Sequence, residues 1–378
     1  MANEKSSIEF DMSPEDYINS LCGGERSGSS ESKATDDKLV LKVERAKYFP
    51  NELTTEIVSR LPAKSIARNR SVSTKWAALL HQTEFAKLFL KRSLLRPQLL
   101  FCVLRDGAEL HVFSTPQDQN SPLVAAVQQM ELPFGYGASI PCDPVLGLSC
   151  YARMVSIDGL SERRPVIVNP STGQLLFLPK GFILWDQVET LLGYEPFAKQ
   201  FKVLIMETKP MYTDLGFYGD TTQTVSIKGQ FFWVGHLKDD DDETDDPSIW
   251  NWLRLVNYYG KLGAIVLDHY EVTAGTTNFE LWLLQDAMEH IWLKHVCVLP
   301  SSWENLVGDA RLRIVGVTSD GILMAPRFVR SPLYVIYYHV EKKSVRKLEI
   351  TGMEGFEGSY FFTYCNHVEN LVELKQRL

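Results

Sequence analysis

Cysteine is scarce and unpaired in this sequence: there are six, at positions 22, 102, 142, 150, 297 and 365, with no CxxC among them. That scatter excludes a disulfide framework and a zinc ribbon, and it suits reduced thiols in a cytosolic or nuclear protein. No run approaches the roughly 18 apolar residues of a membrane span, so no membrane contact is expected. The opening MANEKSSIEFDMSPED has no apolar core, so no secretory signal is expected either. Bases are outnumbered, 39 against 47, which argues against general nucleic-acid binding. HExxH, GxSxG and P-loop patterns are missing. The acidic run DDDDETDD lacks the glycine and the spaced terminal Glu of a calcium loop. The eight histidines are dispersed. No catalytic residue, metal or cofactor is therefore expected.

What is present is a folded, charge-divided chain. An apolar content of 45% with 11% aromatics excludes a wholly disordered protein, and 378 residues suit two domains or one large one. The net charge of −8 is unevenly placed. Residues 1–40 carry nine acids and four bases, residues 41–98 carry four acids and twelve bases, and seven acids cluster from Asp239 to Asp246. The window of charge +8 is a module distinct from its flanks, suited to an acidic partner surface.

Residues 1–44, with GGERSGSSESKATDDK at their centre, read as a disordered tail. Helical spacing follows. Leu53, Ile57 and Leu61 recur at i, i+4 and i+8, and Pro62 ends the stretch. A short turn around Ile66 leads to Val72, Trp76, Leu79 and Leu80 on a second face. About 45 residues are too few to bury all these faces, so some of this surface is expected to meet another protein.

From Leu99 the period becomes strand-like, with short runs such as LLFCVL, FKVLIM, GAIVLD and LYVIYYHV between Gly, Pro, Asn and Asp turns. Recurrent strand–turn–strand units predict a β-propeller of roughly six blades at about 40–45 residues each, with a β-sandwich as the alternative. The Trp residues at 185, 250, 252, 282, 292 and 303 are expected mostly in blade cores. Trp185 and Trp250, beside polar loops, are the candidates for contact with a target.

The helical window resembles the F-box, the module that links a receptor to a ubiquitin ligase. The resemblance rests on Tyr48-Phe49-Pro50-Asn51-Glu52-Leu53, on Glu56 through Arg68, on Arg70 through Ser73, and on Trp76. The remainder is similar to the plant F-box-associated interaction domain of type 3. It matches at GLSC (147–150), NPSTGQ (169–174), LPK (178–180), LGYEPF (192–197), NYYGKLG (257–263) and ELWLLQD (280–286). The resemblance implies an α+β multidomain chain: a helical F-box over 45–95, then an all-β, propeller-like receptor domain over 96–378.

It further implies a non-catalytic receptor subunit of an SCF-type ubiquitin ligase. Phe49, Pro50, Leu53, Ile57, Leu61, Pro62, Ile66, Val72 and Trp76 would meet a Skp-family linker, shared about evenly with the module's own core. Cullin and RING subunits would join through that linker, and the β-domain would hold a target protein. The sequence departs from the family at Asn69 and Lys75, where apolar residues are usual, and at Ser71, where Cys is common. The segments after KVLIM and after QFFWVG lack expected strands, so a blade is expected to be incomplete. The alternatives are a propeller-type binding module or a degenerate member with no ligase role.

Overall fold

The computed structural model describes residues 6–10, 51–70, 74–106, 109–117, 121–135, 138–157, 160–179, 187–195, 200–208, 222–227, 230–235, 252–269 and 271–374. Its first element is a strand, β1 (Ser6–Phe10), within the stretch expected to be a tail. The backbone of β1 pairs antiparallel with a strand some 190 residues on, Ser6 opposite Ile205 and Phe10 opposite Phe201. Residues 11–50 lie outside the described residues, with Phe49 and Pro50 among them.

Four helices come next: α1 (Asn51–Val58), α2 (Ala63–Arg70), α3 (Thr74–Leu80) and α4 (Thr83–Ser93). α2 corrects the expected turn at Ile66. Its sequence AKSIARNR is rich in helix formers but carries one large apolar residue, so it has no apolar stripe to betray it. Val58, Ala63, Ile66, Leu80, Phe85 and Phe89 form the core of this module. The end of α1 is tied down by two arginines from the far side. Arg92 donates to the Glu56 carbonyl, the Ser59 hydroxyl and the Glu56 carboxylate. Arg96 donates to the carbonyls of Arg60 and, at 3.1 Å, Leu61. Cations therefore stand where the helix leaves its last carbonyls unpaired.

Among the described residues the strands form six sheets of two to five strands. One holds β2 (Gln98–Arg105), β3 (Glu109–Pro116) and β5 (Val127–Pro133). Its other edge is the last strand of the chain, β21 (Tyr360–His367), so the two ends of the β-region share a sheet. β6 (Ser149–Ile157), β7 (Leu160–Asn169) and β8 (Gln174–Phe177) make the next. β10 (Gln200–Thr208) pairs with β1 on one side and β9 (Gln187–Glu195) on the other, while β11 (Thr222–Ile227) and β12 (Gln230–Gly235) form a hairpin. β13 (Trp252–Tyr258), β14 (Lys261–Leu267), β15 (Asn278–Asp286) and β16 (Ile291–Val298) form a meander. After α5 (Trp303–Val307), β17 (Leu312–Thr318), β18 (Gly321–Pro326), β19 (Leu333–His339) and β20 (Ser344–Thr351) form another, extended by β4 (Leu123–Ala125). The stretches 209–221 and 236–251, where strands were expected to be missing, fall outside the described residues.

Alternating side chains feed two different cores. On β18 and β19, Ile322, Met324, Ile336 and Tyr338 pack toward the β13–β16 sheet. Their neighbours Leu323, Ala325, Val335 and Tyr337 pack toward β2, with Leu99, Phe101 and Val103. On β2 the intervening Leu100 and Cys102 turn the other way, onto Tyr151, Val166 and Val168. Cys150, Ala152 and Ile167 in turn meet Leu192, Phe201 and Val203. Sheets covered on both faces explain why these strands read as near-continuous apolar runs. Cys102, Cys142, Cys150, Cys297 and Cys365 are all free thiols. Among the described residues no helix is long and apolar enough to cross a membrane.

Candidate partner-binding face and its anchor

α1 divides its side chains between core and solvent. Val58 is buried, whereas Leu53 and Ile57, one turn apart, are 51% and 55% exposed. Large apolar residues left exposed on one helix face are the kind of surface that a partner can cover. Pro62 is exposed beside them, and Leu61 and Trp76 are half-buried against the module's core. Ile66 is wholly buried, so it packs the core and offers no surface. Val72 and Ser71 lie outside the described residues, as do the side chains of Asn69 and Lys75.

The helical module is held by Val368–Leu374, a segment that carries no motif or periodicity of its own. After β21 the backbone runs without regular structure through Val368–Leu374. Leu371 enters the helical core beside Val58, Ile66 and Phe89. Glu369, itself buried, accepts the Ala63 backbone N–H at 2.8 Å and so caps the start of α2. Burial pushes the Glu369 carboxyl up from its ordinary value, and the Ala63 N–H and Arg96, 3.9 Å away, partly oppose that. His81 Nδ1 lies 2.9 Å from Glu373 Oε1, and Lys64 Nζ donates to the Gln128 carbonyl at 2.8 Å.

The same segment is a strap clamped from the β-side by two of the motifs that carried the resemblance. In NPSTGQ, the Asn169 amide donates to the carbonyls of Asn370 and Val372, both at 3.1 Å. Ser171 Oγ accepts from Asn370 N at 3.0 Å, and Gln174 Oε1 accepts from Leu374 N at 2.9 Å. In GLSC, Gly147 adopts φ +84°, and a Cβ there would stand 2.3 Å from the Val368 carbonyl oxygen. Asn370 returns a bond to the Leu146 carbonyl at 2.7 Å. The motifs thus work as a socket for Val368–Leu374, which fixes the helices to the sheets.

Neither Trp185 nor Trp250 is among the described residues, and the Trp252 side chain is also outside them. Trp303 is buried and donates to the Thr273 carbonyl, as a core Trp should. Trp292 corrects the expectation of a core position: it is exposed, with Ile291, Leu293, Val296 and Val298, on the edge strand β16. His290 and His295 are exposed on the same hairpin.

A small helical module with an exposed apolar face, tied through Val368–Leu374 to a mostly-strand domain, defines a two-part class of protein, helices first and sheets after. Comparison with known proteins agrees. The profile of the F-box associated beta propeller domain matches residues 98–227 and 236–368. F-box protein At5g65850 of Arabidopsis thaliana is 35% identical over 366 residues, covering 87% of this chain and 91% of that protein. F-box protein DOR of Arabidopsis thaliana is 33% identical over 368 residues, covering 85% and 93%. F-box protein At3g49450 of the same plant is 32% identical over 371 residues, covering 87% and 92%. The chain belongs to the plant F-box proteins with a type 3 F-box-associated domain.

Proposed function

We propose that this protein is the substrate-receptor subunit of an SCF-type ubiquitin ligase. The helical module, over 45–95, docks a Skp-family linker and through it the cullin and RING subunits. The β-domain, over 96–378, is a six-bladed propeller that holds a target protein. The chain makes and breaks no bonds itself. It raises the local concentration of a target lysine at a catalytic centre carried by other subunits, in the cytoplasm, the nucleus or both.

The observation that carries this reading is the exposed pair Leu53 and Ile57 on a module whose own core is complete without them. The propeller reading rests on the passing of alternate side chains from sheet to sheet, and on β21 completing the sheet that β2 begins. The strap suits the task too, because proximity works only where receptor and docking module keep a fixed relation.

The test is co-purification of the full chain with a Skp-family linker and cullin, wild type against Leu53→Asp. Both should fold alike, since position 53 faces solvent, while Leu53→Asp loses at least about tenfold in linker affinity, roughly 1.4 kcal/mol. Absence of wild-type binding, or equal binding by the variant, would sink the proposal.

A further inference from the structure

One cluster of potential ligands lies outside everything so far described. On the β2–β3–β5 sheet, His111 stands directly opposite Glu131 in register, and Glu109, two residues before His111, lies on the same face. His111 is only 5% exposed, yet its Nε2 has no hydrogen-bond partner among the described residues. Glu109 Oε2 lies 3.5 Å from that nitrogen, and Glu131 Oε2 lies 3.7 Å from Nδ1. One ligand atom from each of the three residues can be chosen so that all lie within 4.8 Å of one another. The ring is walled by Phe356, whose centroid is 4.8 Å away. The nearby Arg105 is turned to Asp106 and to Phe356.

A buried imidazole nitrogen needs a partner, and a carboxylate oxygen at 3.5 Å is beyond hydrogen-bond reach. The same separation is close to that of two donors sharing a tetrahedral ion, about 3.3 Å for bonds near 2.0–2.1 Å. We propose that Glu109, His111 and Glu131 bind a divalent cation, of which Zn²⁺ fits this nitrogen–oxygen donor set best. The two glutamates are 52% and 53% exposed, so their carboxylates can swing to close on the ion from solvent. Gln128, whose amide nitrogen sits 3.2 Å from Nδ1, would orient the ring. Turned over, its oxygen accepts a hydrogen bond from Nδ1–H and leaves the Nε2 lone pair for the ion. Three protein ligands leave an open coordination position, filled by water in the free protein.

The experiment uses purified full-length chain, stripped with a chelator, then titrated calorimetrically with Zn²⁺ and spectroscopically with Co²⁺. The wild type should bind one equivalent, show cobalt d–d absorbance and melt at a higher temperature with zinc. Glu109→Gln/Glu131→Gln changes only solvent-facing oxygens, so it should fold normally and bind at least roughly tenfold more weakly, with no zinc-dependent rise in melting temperature. His111→Asn should lose the cobalt absorbance. No wild-type binding up to about 100 µM zinc overturns the proposal. So does equal affinity in the glutamate variant, which would place the ion elsewhere.

Discussion

The Glu369 carboxylate accepts the backbone N–H of Ala63 at 2.8 Å, across 306 residues of sequence. One end of the chain thereby caps a helix near the other, at a point where the helix offers an unpaired donor and a positive dipole end. The bond is buried, and the helical core closes over it through Leu371. The placement of the helical module thus rests on contacts with the Val368–Leu374 segment as well as on the covalent join near Arg96.

Glu369→Ala should destabilise the protein by about 1–3 kcal/mol, since it leaves a buried N–H without a partner. Glu369→Gln should stay within about 1 kcal/mol of wild type, because the amide oxygen still accepts and the buried charge is gone. The raised carboxyl fixes the sign. A group with its folded pKa raised contributes stability below its unfolded value and loses it as pH rises through the folded value. The advantage of Gln over Glu should therefore grow toward neutral pH. Urea unfolding of the three proteins at pH 5 and pH 7.5 checks both statements. Glutamine as damaging as alanine would contradict them.

Leu371→Ala should cost about 2–4 kcal/mol, and the loss should be local to the helical module. Amide exchange in α1–α4 should quicken while exchange in β17–β21 stays slow, because only the helical core loses a member. Uniform loosening of both regions would show the strap to be part of a single cooperative unit.

Two glycines at similar backbone angles make a controlled pair. Gly147 and Gly173 have φ of +84° and +74°, but a Cβ at 147 meets the Val368 carbonyl, and a Cβ at 173 meets nothing within 4 Å. Gly173→Ala should cost about 1 kcal/mol of backbone strain alone. Gly147→Ala carries the same strain and also pushes the strap out of its socket, so it should cost at least about 2 kcal/mol more. Thermal melts of both variants decide it.

His367, at the end of β21, is buried and pushed down to about 4 from its usual 6.5. Its cause is desolvation, and its Nδ1 has no hydrogen-bond partner among the described residues. A His with its folded pKa depressed must stay neutral to fold. The stability it permits is complete above the unfolded value and is lost as pH falls from about 6.5 toward 4. By pH 5 the loss should reach roughly 2 kcal/mol. His367→Gln should remove that part of the acid sensitivity. Comparing wild type and variant at pH 7.5 and 5 cancels Glu369, whose effect runs the other way.

Local pattern made the division into helical and strand-like parts readable. The i, i+4 spacing of Leu53 and Ile57 marks a helix, and alternation along β15 marks Phe279, Leu281 and Leu283 as one face. α2 was not readable, because a helix with a single large apolar residue has no periodicity to detect. Nor could alternation say that the two faces of β18 and β19 enter different cores, since both read simply as apolar. The strap lay furthest from view. HVENLVEL looks like an ordinary chain end, and its meaning comes from partners at Ala63, Asn169 and Gly147. Glu109, His111 and Glu131 were hidden likewise, because the register between β3 and β5 brings them together.

Asn169 offers the sharpest test of the socket, because its two side-chain ends have different tasks. Its Nδ2 donates to the Asn370 and Val372 carbonyls, while its Oδ1 accepts the Ser171 N–H at 3.0 Å. Asn169→Ala removes all three bonds but places no new charge in a wholly buried site. Asn169→Asp keeps nearly the same shape and the Ser171 bond, yet sets a carboxylate oxygen against two carbonyl oxygens. The near-isosteric change should be the worse one. Asn169→Ala should cost about 1–3 kcal/mol, and Asn169→Asp should exceed it by about 1 kcal/mol or more at pH 7.5, because an acceptor facing acceptors is unpaired and repelled. The excess should shrink as pH falls and the new carboxyl takes a proton, which turns one oxygen back into a donor. Linker affinity should be kept in both variants, since Leu53 and Ile57 are untouched. A ranking with Asp milder than Ala at pH 7.5 would mean that the strap is not held by the donor end of Asn169.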